Sequence, residues 1–198
     1  MKKYLNKYRG QTFRLQSWDY ASSAFYFVTI SLKDRIHFFG EIENGKMILS
    51  EIGEIVKVEW LKTKEIRTDM NIELGEFVIM PDHFHAIIYI GDNEFNSSGG
   101  AMHCATTEHC ATTKHRATTN ITTEKNQFGP QSKNLASIIR GFKSSVTTWC
   151  RKNNYSDFAW QKLFYEHIIR NQQSFENISN YIINNPKNWK KDKLRKEI

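Results

Sequence analysis

Cysteine is scarce in this chain and long hydrophobic runs are missing. Its 198 residues include three cysteines, Cys104, Cys110 and Cys150. That usage suits a reducing compartment better than a disulfide framework. No apolar stretch approaches the roughly 18 residues needed to cross a bilayer, and no charged-then-apolar leader opens the sequence. Membrane-spanning and disulfide-stapled classes are thereby set aside, and the cytoplasm is the expected location. Asn-x-Ser/Thr triplets such as Asn120-Ile121-Thr122 then carry no glycosylation meaning.

Acid is also in short supply. Lys and Arg number 28 against 21 Asp and Glu, a formal net charge of +7. Such an excess favours a polyanionic partner, although it sets affinity and approach rather than chemistry. The charge is concentrated at the end, where residues 187–198 hold six Lys or Arg against Asp192 and Glu197. This basic tail is expected to be solvated and able to lie along a phosphate backbone. With 39% apolar residues, the chain has the material for one core, and residues 1–198 read as a single domain.

Phe25 to Leu32 is β-branched and aromatic, which predicts a strand. Two short runs, His37 to Ile42 and Met47 to Ser50, flank Glu43-Asn44-Gly45-Lys46, and Asn-Gly is a strong hairpin signal. Ile52, Ile55, Val56 and Trp60 then recur at helical spacing to about Arg67. Glu73 to Met80 predicts another strand, turned by Pro81-Asp82 into the next. Residues 92–131 are poor in large apolar side chains and contain three copies of a hexapeptide, starting at His103, His109 and His115. The cysteine is lost from the third copy and the spacing is not that of a zinc finger or ribbon. The segment therefore reads as a mobile low-complexity insertion.

Leu135, Ile138, Ile139, Phe142, Val146, Trp149 and Cys150 follow at steps of three and four, predicting an amphipathic helix. The charges on its other face are all positive, which makes Arg140 and Lys143 candidate phosphate contacts; Arg170 is a third. Leu163 to Ile169 predicts a strand. Ser174 is the predicted N-cap of a last helix with Phe175, Ile178 and Ile182 inward. This helix should end by Asn185, because a residue before proline is driven from helical geometry. The whole order favours an α+β fold, a ferredoxin-like or RRM-like plait with a mostly antiparallel sheet and helices packed on one face.

Two segments carry the chemistry. In Met80-Pro81-Asp82-His83-Phe84-His85 the two histidines lie two apart on a strand, so both project to one side and form half of a divalent-metal site. Phe84, Ala86, Ile88 and Ile90 face the other way and can anchor the strand in a core. Near the end, Tyr181 and Asn185 share a helix face. One can serve as a nucleophile while the other lends a carbonyl oxygen to the same metal. Each residue also has a plainer reading: His83 and His85 as two ordinary histidines, Tyr181 as an aromatic packed on the sheet, Asn185 as a helix end, His167 as a core histidine. Tyr165 is a rival nucleophile without a helical partner.

Six pieces occur in order: Tyr26-Phe27-Val28-Thr29, Phe39-Gly40-Glu41-Ile42, the Pro81–His85 element, Trp160-Gln161, Tyr165 to Arg170, and Tyr181-Ile182-Ile183-Asn184-Asn185-Pro186. Together they resemble the REP-associated tyrosine transposases, relatives of the single-tyrosine HUH transposases of small insertion sequences. The resemblance covers nearly the whole chain apart from the insertion and the tail. It implies that His83 and His85 bind Mg²⁺ or Mn²⁺ and that Tyr181 attacks single-stranded DNA. Asn185 then matches the position of a third polar ligand. Asp82 departs from the asparagine common there and adds a carboxylate beside the ligand pair.

The implied function is a metal-dependent single-stranded DNA endonuclease and strand transferase acting near hairpin-forming repeats through a 5′-phosphotyrosine. Hairpin or single-stranded DNA is the implied partner, at the nucleoid, with the protein a monomer or homodimer. Alternatives are a non-catalytic single-strand-binding module on the same plait, or a metal hydrolase with water as nucleophile.

Overall fold

Side-chain alternation and three helices account for the architecture. The computed structural model describes residues 3–4, 7–8, 15, 18–96 and 132–191. Most of the predicted insertion, 97–131, and the end of the tail, 192–198, lie outside the described residues. So do Cys104 and Cys110.

After a short ribbon pairing Lys3–Tyr4 with Lys7–Tyr8, the elements are β1 (Ala24–Ser31), β2 (Gly40–Glu43), β3 (Lys46–Leu49), α1 (Glu51–Ile66), β4 (Ile72–Ile79), β5 (His83–Ile90), α2 (Leu135–Lys152), β6 (Tyr165–Ile169) and α3 (Gln172–Asn184). A four-stranded sheet runs β4-β5-β1-β6 with every neighbour antiparallel. Apart from the β2–β3 hairpin, the order β1-α1-β4-β5-α2-β6 is the ferredoxin-like plait expected from the sequence. The hairpin turns through Asn44 (φ 49°) and Gly45 (φ 74°), the left-handed pair that a tight two-residue turn requires.

Residues of even number in β1 and β5 face α1 and α2. Val28, Ile30, Phe84, Ala86 and Ile88 are all fully buried there, beside Val56 and Trp60 of α1 and Ile138 and Val146 of α2. The Phe84 ring lies 4.9 Å from that of Trp60 and 5.5 Å from that of Phe142. This burial anchors the strand that carries both histidines. Ser50 caps α1 by accepting from the Gly53 N–H, and Asn134 caps α2 in a reciprocal capping box with Ser137.

Two helices thus share one face, as expected, while α3 lies across the other. A smaller core of Ile87, Ile169 and Ile182, joined by Phe25, Phe27, Val78, Phe175 and Ile178, fixes it there. Its start differs from the prediction: Asn171 is the N-cap, and its side chain accepts from the Ser174 N–H. Ser174 is therefore the third residue inside the helix. Asn185 keeps right-handed helical angles (φ −57°, ψ −46°) despite preceding proline, and the chain continues as a 3₁₀ turn over Pro186–Lys191. That turn buries Trp189, while Lys187 and Asn188 beside it are exposed.

Candidate functional site

The site is built on the face of the sheet that α3 covers. Thr29 of β1 stands level with His85 of β5, and Ser31 stands level with His83. The two imidazoles are buried, with ring centroids 4.6 Å apart. Each is oriented by a different partner. His83 Nδ1 meets the Asp82 carboxylate at 2.6 Å, and the other carboxylate oxygen receives Arg35 Nε at 3.3 Å. Arg35 also donates to Ser31 Oγ at 3.0 Å. His85 Nδ1 lies 2.8 Å from Thr29 Oγ1. In both rings the Nδ1 contact turns Nε2 away from the strand, which is the usual way a ligating imidazole is held.

Burial, then the neighbouring His83 and Arg35, push the His85 imidazole well below its ordinary range. At neutral pH it is uncharged and presents a lone pair. The Tyr181 hydroxyl lies 3.1 Å from His85 Nε2, and the ring lies 5.2 Å from the imidazole. A tautomer with the proton on Nδ1 satisfies both the Thr29 and the Tyr181 contacts. Phe27 packs beneath, stacked on His85 at 5.4 Å and edge-on to Tyr181 at 6.2 Å.

Asn185 is one helical turn beyond Tyr181 and is buried. Its Oδ1 has no hydrogen-bond partner among the described residues. One turn further, the Trp189 ring lies 6.0 Å from that of His83. Tyr181 against His85 and Trp189 against His83 therefore bracket Asn185 on the helix surface that meets the histidine pair. A buried carbonyl oxygen left without a donor is costly, and a cation would satisfy it. Among the described residues no three His, Cys, Asp or Glu gather as a metal cluster. Two imidazoles and an amide oxygen fit a divalent ion of the Mg²⁺–Mn²⁺ to Zn²⁺ range.

The predicted phosphate contacts are not brought to this pocket. Arg140 and Lys143 stand on α2, across the sheet from the histidines, in a cleft of about 310 Å³ shared with Lys162, Leu163 and Phe164. Lys143 donates to the Gln161 carbonyl, and burial pushes its ammonium down to about 8. Arg170 follows the far end of β6 and lines a separate cleft of about 400 Å³ with Tyr20, His167 and Asn171. His167 is exposed there rather than in the core.

Thr29, Arg35, Phe27 and Trp189 escaped the sequence reading. Strand parity alone would place Thr29 on the Phe27 side of β1, but only the register sets it opposite His85. Arg35 reaches Asp82 from a turn whose residues Asp34 and Arg35 have φ of 55° and 59°.

No family model matches the chain. Among curated proteins, it is 35% identical over 184 residues to an uncharacterised protein of Haemophilus influenzae, covering 93% of this chain and 92% of that one. Among solved structures, it superposes on a REP-associated tyrosine transposase bound to a REP hairpin with a TM-score of 0.55. The identity there is 18%, across 91% of this chain and 74% of that one. The protein accordingly belongs to one family with its Haemophilus influenzae relative and has the fold of the REP-associated tyrosine transposases.

Proposed function

We propose that the chain is a metal-dependent, single-strand-specific DNA endonuclease and strand transferase whose nucleophile is Tyr181. The observation that carries this reading is the 3.1 Å approach of the Tyr181 hydroxyl to His85, from the last helix to the central histidine strand. A packed tyrosine also finds a partner for its hydroxyl, but here that partner is one of two adjacent, oriented imidazoles. Tyr181 is also 45% exposed, so a substrate can reach it.

His83, His85 and Asn185 are the residues that would hold the ion, Mg²⁺ or Mn²⁺ in this proposal. When bound, such an ion polarises a non-bridging phosphate oxygen and offsets the charge that gathers there in the transition state. The protein does the rest. Asp82 and Thr29 fix the two rings, Phe27 and Trp189 wall the pocket, and α3 presents the phenol. A phenol has a pKa near 10 and is mostly protonated at neutral pH, so placement supplies much of its reactivity. Its oxygen forms a bond to phosphorus as the bond from phosphorus to the 3′-oxygen breaks. The phenolic proton passes to solvent, and the departing oxygen is protonated to a 3′-hydroxyl. The 5′-phosphotyrosine keeps the phosphodiester bond energy, so a 3′-hydroxyl can reverse the step without ATP.

The hairpin seen with the structurally similar transposase supports hairpin DNA as the substrate class, and the net charge of +7 agrees with it. The test uses hairpin oligonucleotides with single-stranded flanks, end-labelled on either side, incubated with Mn²⁺ and run on denaturing gels. A covalent protein–DNA band that disappears with EDTA supports the proposal. Binding without cleavage in any metal would favour the non-catalytic binding module. A free 5′-phosphate and no adduct would make water the nucleophile.

A further inference from the structure

Three strands carry one row of side chains past the histidines. His85, Thr29 and Tyr165 stand level across β5, β1 and β6, and residues paired across a sheet share a face. Tyr165 is thus on the same surface as the site, two strand spacings or about 10 Å from His85. β6 is the edge of the sheet, and the α3 core includes Ile169 at its far end, while Tyr165 at the near end stays exposed. Tyr165 is 57% exposed, with its ring edge-on to Phe27 at 6.4 Å. Tyr181, Phe27 and Tyr165 form a continuous aromatic row from the reactive hydroxyl to the sheet edge.

We infer that Tyr165, backed by Phe27, is a stacking site for an unpaired nucleobase of the strand that Tyr181 cleaves. The inference rests on the single-stranded DNA reading above. A half-exposed phenol ring beside a phosphate-handling site offers the flat apolar face that any base can cover. The charge around it suits the sugar–phosphate backbone. Just before Tyr165, Lys162 is exposed and lines the cleft that also holds Arg140 and Lys143. The Lys33 side chain is exposed too, 4.0 Å from the Asp34 carboxylate, and the Lys33 backbone N–H donates to the Ala159 carbonyl. Tyr165 is therefore assigned to substrate holding and not to bond making.

The test uses the full chain carrying Tyr181→Phe, which prevents turnover, and hairpins whose single-stranded flank bears 2-aminopurine at successive positions. One position should show strong fluorescence quenching on binding. Tyr165→Ala should abolish that quenching and weaken flank binding about tenfold, as expected for one lost base stack. Tyr165→Phe, which keeps the ring, should restore both. Quenching that is unchanged by Tyr165→Ala overturns the inference while leaving the catalytic proposal intact, provided the protein with Tyr181 still forms its adduct. Failure of any flanked hairpin to bind would overturn both.

Discussion

The Asp82 carboxylate bridges His83 and Arg35, accepting His83 Nδ1 at 2.6 Å and Arg35 Nε at 3.3 Å in a site closed to solvent. The ion pair compensates for burying the acid, and the acid aims the ring. Asp82 is thus a positioning residue for the His83 ring.

Asp82→Ala should therefore act on two readouts. Removing the carboxylate from a buried guanidinium should cost about 3 kcal/mol in urea unfolding. Loss of the contact that orients His83 should weaken Mn²⁺ binding about 10- to 100-fold by titration calorimetry. Asp82→Asn retains an oxygen for the Nδ1 proton and should recover most of the Mn²⁺ affinity but not the stability. Equal Mn²⁺ affinity in Asp82→Ala and the parent would show that His83 needs no such support.

Phe84 makes the complementary case on the other side of the same strand. Its ring is fully buried between Trp60 and Phe142. Phe84→Ala should lower stability by about 3–5 kcal/mol through lost transfer energy and the cavity left behind. Phe84→Leu should cost less than half as much. Denaturant midpoints check both, and an effect of Phe84→Ala under about 1 kcal/mol would mean this core is loosely packed.

Lys143 gives a pH signature. Burial lowers its ammonium from the usual 10.5 to about 8 in the folded protein. As pH rises through about 8, the folded chain loses this proton while the unfolded chain holds it. Stability from this group therefore increases with pH until the unfolded side chain also titrates. The parent should gain on Lys143→Met when urea unfolding is compared at about pH 7 and about pH 9.5. A difference independent of pH would place the ammonium in water.

Much of this arrangement could be read from local patterns. Period two in His83–Ile90 forces both imidazoles to one side and the phenylalanine to the other, whatever the tertiary context. Asn44-Gly45 permits few alternatives to a tight hairpin. The amphipathic pattern of α2 predicted most of its core side: Leu135, Ile138, Ile139, Phe142, Val146 and Cys150 are buried, while Trp149 is only half-buried.

What escaped depends on register and on which face an element covers. A wet helix face says what points away from the core; it cannot say which side of the sheet the helix occupies. Arg140 and Lys143 thus lie across the sheet from the histidines. Asn171 and Ser174 are both good capping residues three apart, and the earlier one takes the cap while the later supplies the N–H it accepts. Asn185 stays helical before Pro186 because its own N–H still bonds the Ile182 carbonyl and a 3₁₀ turn follows. Trp189 is one of three scattered apolar residues in the basic tail, too little periodicity to reveal that its ring lies 6.0 Å from that of His83.

Peptide mapping of the protein–DNA adduct reports most directly on whether Tyr181 is the reacting group. After incubation with single-stranded DNA and Mn²⁺, nuclease trimming, proteolysis and mass spectrometry should find one peptide carrying a residual nucleotide on Tyr181, and Tyr181→Phe should yield none. A nucleotide on Tyr165, or an adduct that persists in Tyr181→Phe, would contradict the account.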